Sequence, residues 1–249
     1  MTRFDNLLTF DENHPLIFTQ LDFWIFFLLV IAIFSYIHKF KLTRSIFLFV
    51  ASLFFYFKTS GLLVLLLFSS IVINYFIGKG VWNSVSILKK KSFVTLSVLF
   101  NILTLGYFKY AYFFTESFNE MFHTKYEIFN VFAQIGNSVL GQGSFVDIIV
   151  LPVGVSFFTF QSISYVVDIY RKEVNPVKNF FDYAFFVSFF PQLVAGPIER
   201  ATHLLPQFYT KRTFDYPLAV DGLRQIIWGL FKKVVILFND VFIFIFLKN

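Results

Sequence analysis

The sequence contains no cysteine among its 249 residues. This absence excludes disulfide scaffolds, iron–sulfur clusters, zinc–thiolate sites and cysteine nucleophiles. Charged residues are scarce as well, at 14%, whereas soluble domains carry roughly 25%. Intrinsic disorder is excluded, because disordered chains combine low hydrophobicity with high charge. With a mean hydropathy of +0.70, these shortages indicate a polytopic membrane protein.

Long apolar runs, rich in the 41 phenylalanines, dominate the sequence. A bilayer core about 30 Å thick needs about 20 mostly apolar helical residues. The runs are continuous and do not alternate, which favours helices over barrel strands. Five runs approach a full span: 23–37, 59–78, 92–108, 148–167 and 183–198. With the shorter run 45–57 and the interrupted run 218–247, they predict an all-α polytopic transmembrane helical bundle. We expect about six to seven apolar helices, one of them re-entrant or broken, in a single membrane domain over residues 1–249.

Basic residues lie at the ends of the apolar runs and predict the topology. Loops 38–44 and 79–91 contain lysine or arginine and no acid, so both are expected in the cytoplasm. Residues 45–78 must then leave the cytoplasm and return, with a turn near 58–61. The prediction is a multi-pass protein of the plasma or inner membrane with its N-terminus outside. The net charge of +6 does not indicate nucleic-acid binding, because it forms no basic stripe on polar surface.

Polar residues interrupt the run at 151–162, which contains Pro152, Gly154 and Gln161. Polar groups at membrane depth usually face a bundle interior or a water-filled cavity. Two interpretations remain open. The segment is a kinked helix whose small residues allow close packing, or it lines a cavity with Gln161 facing inwards.

A second interruption lies at 189–200, where Pro191, Gly196 and Pro197 should break a helix. Such backbone is tolerated at membrane depth where protein buries it or where it lines a cavity. The pattern predicts a re-entrant element, the alternative being a short helix that ends in a loop. The candidate cavity-lining or donor-binding residues are Gln161, Gln192, Glu199 and Arg200. The Arg200 guanidinium suits a donor phosphate, and anchoring to lipid headgroups is the competing explanation.

The four histidines, at positions 14, 38, 123 and 203, form no pair with metal-ligand spacing. No carboxylate set joins them, so we predict no metal site. His203 follows the second interruption, where a catalytic role is conceivable. A general base must also be oriented by a partner, and the sequence identifies none.

Two long motifs are LPVGVSFFTFQSISYVVDIYR at 151–171 and FVSFFPQLVAGPIERATHLLPQF at 186–208. They resemble the membrane-bound O-acyltransferase family, specifically its alginate O-acetyltransferase branch. Shorter matches lie at 52–57, 101–114 and 222–236. The resemblance implies a helical fold around a funnel, with a cytoplasmic acyl donor of the acyl-CoA type, no bound cofactor, and a hydroxyl acceptor on the opposite side. Similar members acetylate exported or cell-surface polysaccharides such as alginate, together with partner proteins.

In that family the catalytic histidine lies in a later segment containing a Trp–His motif, and no tryptophan of this sequence precedes a histidine. We therefore expect no catalytic residue in this chain, which resembles the N-terminal half of such an enzyme and would be inactive alone. His203 does not correspond to the family's catalyst. Two other functions stay open: a transporter or channel, suggested by the two interrupted segments, and a noncatalytic remnant.

Overall fold

A computed structural model describes residues 16, 18–128, 130, 134, 149–196, 199–210 and 214–236. The described residues form helices and the segments between them and contain no strand, which confirms the all-α class. The chain divides into two compact units, the first ending at Tyr209 and the second beginning at Thr210.

Nine α-helices belong to the described part of the first unit. They are α1 (Leu21–Ile37), α2 (Lys41–Ser60), α3 (Val64–Asn83), α4 (Ile87–Leu105), α5 (Ala111–Phe122), α6 (Val155–Tyr170), α7 (Phe180–Ser188), α8 (Phe190–Ala195) and α9 (Ala201–Tyr209). The second unit contains α10 (Tyr216–Phe231), which begins at the Asp215 N-cap and continues into a π-helical turn, Lys232–Ile236. Part of the interrupted run 218–247 is therefore helical, and residues 237–249 lie outside the described part.

Two helical stretches are long and apolar enough to cross a membrane, Lys41–Asn83 and Ile87–Phe122. The first stretch is divided at Gly61, which has a φ of 57° and separates α2 from α3 by one 3-10 turn. The turn predicted near 58–61 is therefore present. The run 45–57 is part of a longer helix than its apolar residues suggest, because α2 begins at Lys41 and includes Lys58. A π-helical turn, Gly106–Tyr110, joins α4 to α5.

The core of the first unit forms where α3, α6 and α7 pack together beside α2. A glycine allows the close contact between α3 and α6: a Cβ atom on Gly78 would lie 2.9 Å from Cε1 of Tyr165. The Tyr165 ring lies 4.4 Å from that of Tyr183 on α7, and both tyrosines are fully buried. Aromatic side chains therefore fill the space between these three helices.

The run 148–167 is helical over a different range from the one predicted. The helix α6 begins only at Val155, so Pro152 and Gly154 precede it. Gly154 has a φ of 73°, a left-handed conformation that side chains with a Cβ rarely adopt. The interpretation of this segment as a kinked helix is therefore wrong: the helix starts after the proline and glycine.

Candidate functional site

The predicted interruption at 189–200 is a break between two helices. The helix α7 ends at Ser188, and α8 begins at Phe190 after a single residue, Phe189, with φ −52° and ψ 107°. Pro191 lies in the first turn of α8, where a missing N–H removes no helical hydrogen bond. The break is therefore confirmed but precedes the prolines; Pro197 lies outside the described residues.

Two side chains from neighbouring helices bind two of the backbone groups that this break frees. In a continuous helix the Phe190 N–H would donate to the Phe186 carbonyl. Instead, the Phe186 carbonyl accepts a hydrogen bond from Gln161 Nε2 of α6 at 3.0 Å. The Phe190 N–H donates to Ser52 Oγ of α2 at 3.3 Å. Because buried backbone polar groups need partners, Gln161 and Ser52 make the break compatible with a water-poor surrounding.

The two long motifs are in direct contact. The backbone carbonyl oxygen of Leu193 lies so near Gly154 that a Cβ atom there would be 2.4 Å from it. The same end of the bundle is closed by a hydrogen bond from the Val153 N–H to Ser60 Oγ at 3.3 Å. The loop before α6 therefore packs directly on α8.

Aromatic rings hold α8 on its other side. The Phe190 ring lies 5.3 Å from Phe55, 5.4 Å from Phe26 and 6.4 Å from both Phe23 and Phe27, measured between centroids. Phe190 is 2% exposed, so its side chain is buried between α1 and α2.

The opposite end of the bundle is basic and is tied together by Asp182 at the start of α7. Its Oδ1 accepts a hydrogen bond from Ser45 Oγ at 2.5 Å, and its Oδ2 accepts one from the Tyr209 hydroxyl at 3.2 Å. Arg44, beside Ser45, donates to the Phe208 carbonyl. The start of α2, the start of α7 and the end of α9 therefore meet. We call this region the basic end.

Further basic residues belong to the basic end. The Tyr75 hydroxyl donates to the Lys178 carbonyl at 3.2 Å, and Lys79 Nζ lies 4.4 Å above the Tyr75 ring. The loops whose lysine and arginine content predicted a cytoplasmic position thus converge in space.

Each candidate site residue has a defined place. Gln161 and Gln192 are buried, Gln161 in α6 and Gln192 in α8, whereas Glu199 is partly buried and Arg200 is exposed. His203 Nδ1 lies 3.3 Å from Glu199 Oε2, and the His203 side chain is 77% exposed. The structure thus places Glu199, Arg200 and His203 together and Gln161 apart from them.

A buried carboxyl that the sequence did not single out, Asp168, lies near the end of α6. Asp168 is 2% exposed, and its Oδ2 atom has no hydrogen-bond partner. The described residues hold no cluster of three or more metal-ligating side chains.

A second polar network, between α3 and α4, was also missed. Asn74 Oδ1 accepts hydrogen bonds from Ser97 Oγ at 2.7 Å and from Asn101 Nδ2 at 2.9 Å. All three residues are fully buried. The sequence contains a signal for this network, an asparagine in each of two apolar runs. Asparagine side chains can join membrane helices by hydrogen bonds.

Comparison with known proteins supports the resemblance. The chain is 34% identical over 227 residues to a peptidoglycan O-acetyltransferase of Helicobacter pylori, a match that covers 81% of this chain and 40% of that protein. It is 37% identical over 175 residues to a probable alginate O-acetylase AlgI of Pseudomonas aeruginosa, covering 69% of this chain and 31% of that protein. A probable alginate O-acetylase AlgI of Azotobacter vinelandii is 35% identical over 166 residues.

No family model and no solved structure matches the chain. The matched segments span about two fifths or less of the length of these relatives. The names of all three relatives nevertheless specify O-acetyl transfer. Each match extends over about two thirds or more of this chain. The chain belongs to the membrane-bound O-acyltransferase family, in the branch that contains the alginate and peptidoglycan O-acetyltransferases.

Proposed function

We propose that this chain is the donor-binding part of a membrane O-acetyltransferase that transfers acetyl groups to hydroxyls of an exported or cell-surface polysaccharide. The observation that carries the proposal is the direct packing of the two family motifs, at Gly154 against Leu193. The similarity to an alginate O-acetylase and a peptidoglycan O-acetyltransferase supports the reaction and the class of acceptor.

The broken element is proposed to be re-entrant from the cytoplasm. The element runs from α7 to α9. Its first and last helices are joined at the basic end by the hydrogen bond from the Tyr209 hydroxyl to Asp182 Oδ2. The fifteen helical residues of α7 and α8 would rise about 22 Å even if collinear, which is less than the core thickness of about 30 Å. With the basic end in the cytoplasm, as the positive-inside rule requires, the N-terminus lies outside and the element opens towards an acyl-CoA-type donor.

Arg200 is the proposed donor-binding residue, because its exposed guanidinium lies between α8 and α9 in the re-entrant element. A planar guanidinium forms bidentate hydrogen bonds with phosphates, which a nucleotide-bearing donor carries. Gln192 and Glu199 lie on the same segment and are proposed to line the path of the donor. Because an exposed charge is screened by solvent, Arg200 is expected to contribute to affinity and not to fold stability.

The chemical step is proposed to need a residue outside this sequence. The resemblance assigns the base to a histidine in a Trp–His motif, and Trp24, Trp82 and Trp228 are all followed by other residues. A base would remove the proton from the acceptor hydroxyl while the acyl carbonyl is attacked. His203 is paired with Glu199 and exposed at the donor side, so it is not proposed as that base.

The test measures acetyl-CoA binding and acetyl transfer by the purified chain in detergent or nanodiscs. We expect measurable donor binding, no turnover, and an affinity about 5- to 30-fold lower for Arg200→Ala, which loses a charge-assisted hydrogen bond worth roughly 1–2 kcal/mol. The control is Lys91→Ala, an exposed lysine of the predicted cytoplasmic loop, which should leave the affinity unchanged.

Three results would each contradict a different part of the proposed function. Equal affinities of Arg200→Ala and the parent chain would assign Arg200 to lipid headgroups. Turnover by the parent chain would show that the catalytic base lies within it. Solute flux into proteoliposomes without any acyl donor would instead support a transporter.

A further inference from the structure

The break at Phe189 is matched by two polar side chains from different helices. The freed carbonyl, of Phe186, meets a donor, the Gln161 amide, at 3.0 Å. The freed N–H, of Phe190, meets an acceptor, the Ser52 hydroxyl oxygen, at 3.3 Å. Each side chain therefore has the chemical character that the backbone group opposite it requires.

We propose that Ser52 and Gln161 are positioning residues that hold the re-entrant element in its broken form. The proposal rests on the proposed function, because it assigns them a role in placing the donor-binding segment. This assignment gives Gln161 a different role from the donor binding considered on the basis of the sequence. Its amide binds the backbone of α7, and residues further along the element are proposed to bind the acyl donor.

The two hydrogen bonds at the break are buried. Ser52 is fully buried and Gln161 is 3% exposed, and their partners Phe186 and Phe190 are buried as well. Water therefore cannot replace either bond, and a freed backbone group left without a partner in such a place is costly. With either partner removed, a buried backbone group would lose its hydrogen bond and the chain around Phe189 would loosen, because Pro191 disfavours joining α7 and α8 into one regular helix.

Loosening at Phe189 would move the donor-binding segment. The direction of α8 after the break brings the Leu193 carbonyl against Gly154 and the Phe190 ring between α1 and α2. A change of that direction would carry both groups out of these contacts, together with Gln192 in the same helix. Ser52 and Gln161 thus control the position of residues that they do not touch.

The test uses a single cysteine as a reporter of the break in the full chain, which contains no cysteine of its own. Ser188→Cys places a thiol beside Phe189, at a fully buried position whose hydroxyl makes no hydrogen bond. The measurement is the rate of its modification by N-ethylmaleimide in detergent. We expect slow modification in the reporter chain, and modification at least about tenfold faster when Gln161→Leu or Ser52→Ala is added.

Two further variants separate positioning from general loosening. Ser52→Thr keeps the hydroxyl and should restore slow modification. Asn101→Leu removes a buried hydrogen bond in the network between α3 and α4, away from the break, and should leave the rate within about twofold. An equal acceleration by Asn101→Leu, or an unchanged rate in both Gln161→Leu and Ser52→Ala, would overturn the proposal.

The readout needs neither donor nor acceptor, so its result is independent of the proposed acetyl transfer. If the modification rates behave as expected but the chain binds no acetyl-CoA, the positioning of the break stands and the donor assignment fails. If the donor binds but the rates do not change, the donor assignment stands and the positioning proposal fails.

Discussion

Substitution of Gly154 by alanine tests the contact that joins the two family motifs. Two separate costs are expected. Gly154 has a φ of 73°, and an L-residue in the left-handed region costs roughly 1–2 kcal/mol. The new Cβ would also lie 2.4 Å from the Leu193 carbonyl oxygen, a backbone atom that cannot rotate away. Overpacking of this kind costs about 1–3 kcal/mol, so the free energy of unfolding should fall by about 2–5 kcal/mol.

The assay is reversible unfolding in mixed micelles of increasing SDS content, followed by tryptophan fluorescence. The matched control is Gly106→Ala in the same unit, because Gly106 has a right-handed φ of −58° and its Cβ would meet no atom within 4 Å. Alanine there should be neutral or stabilising by about 0.4–1 kcal/mol, since it lowers the entropy of the unfolded chain. The two substitutions should therefore differ by at least about 2 kcal/mol, with only Gly154→Ala destabilising.

A third variant separates the two costs. Asparagine tolerates the left-handed region better than alanine does, but it carries the same Cβ. If the contact with Leu193 dominates, Gly154→Asn should be nearly as destabilising as Gly154→Ala. A change below about 0.5 kcal/mol for both variants would refute the close approach of the two motifs.

Two further predictions concern buried residues outside that contact. Asn101→Leu leaves the Asn74 side-chain oxygen with only the Ser97 hydroxyl as its strong donor, so we expect a loss of about 0.6–2 kcal/mol of unfolding free energy in the same SDS titration; no loss would mean that the network does not join α3 to α4. Phe190→Ala empties the space between α1 and α2 and should cost about 3–5 kcal/mol, whereas Phe113→Ala, 62% exposed, should cost far less; equal losses would contradict the burial of Phe190.

Several features of the fold could be predicted because they depend on composition and local pattern. Continuous apolar runs produced helices in the described segments, and Gly61 ends α2 at the turn predicted near 58–61. The basic loops converge at one end because unpaired lysines and arginines cannot lie inside an apolar bundle. The bounds were less predictable, since helices such as α2 extend into polar residues that still satisfy their backbone hydrogen bonds within the helix.

The break at Phe189 shows where local pattern stops being sufficient. Pro191 and Gly196 predicted a break, yet it lies at Phe189, where no residue has an unusual backbone preference. Pro191 fits the first turn of a new helix, so the new helix had to begin just before it. The position of the break also depends on Ser52 and Gln161, which are distant in sequence from it.

The sequence by itself determined that the chain is helical and apolar, and its two motifs identified the family, because these properties reside in composition, periodicity and residue order. Only the tertiary structure decided which polar groups meet. Gln161 binds the Phe186 carbonyl of α7, and Asp182 joins α2, α7 and α9. The physical reason is that a buried polar group must find a complementary partner, and that partner comes from another helix whose distance along the chain gives no indication of its distance in space.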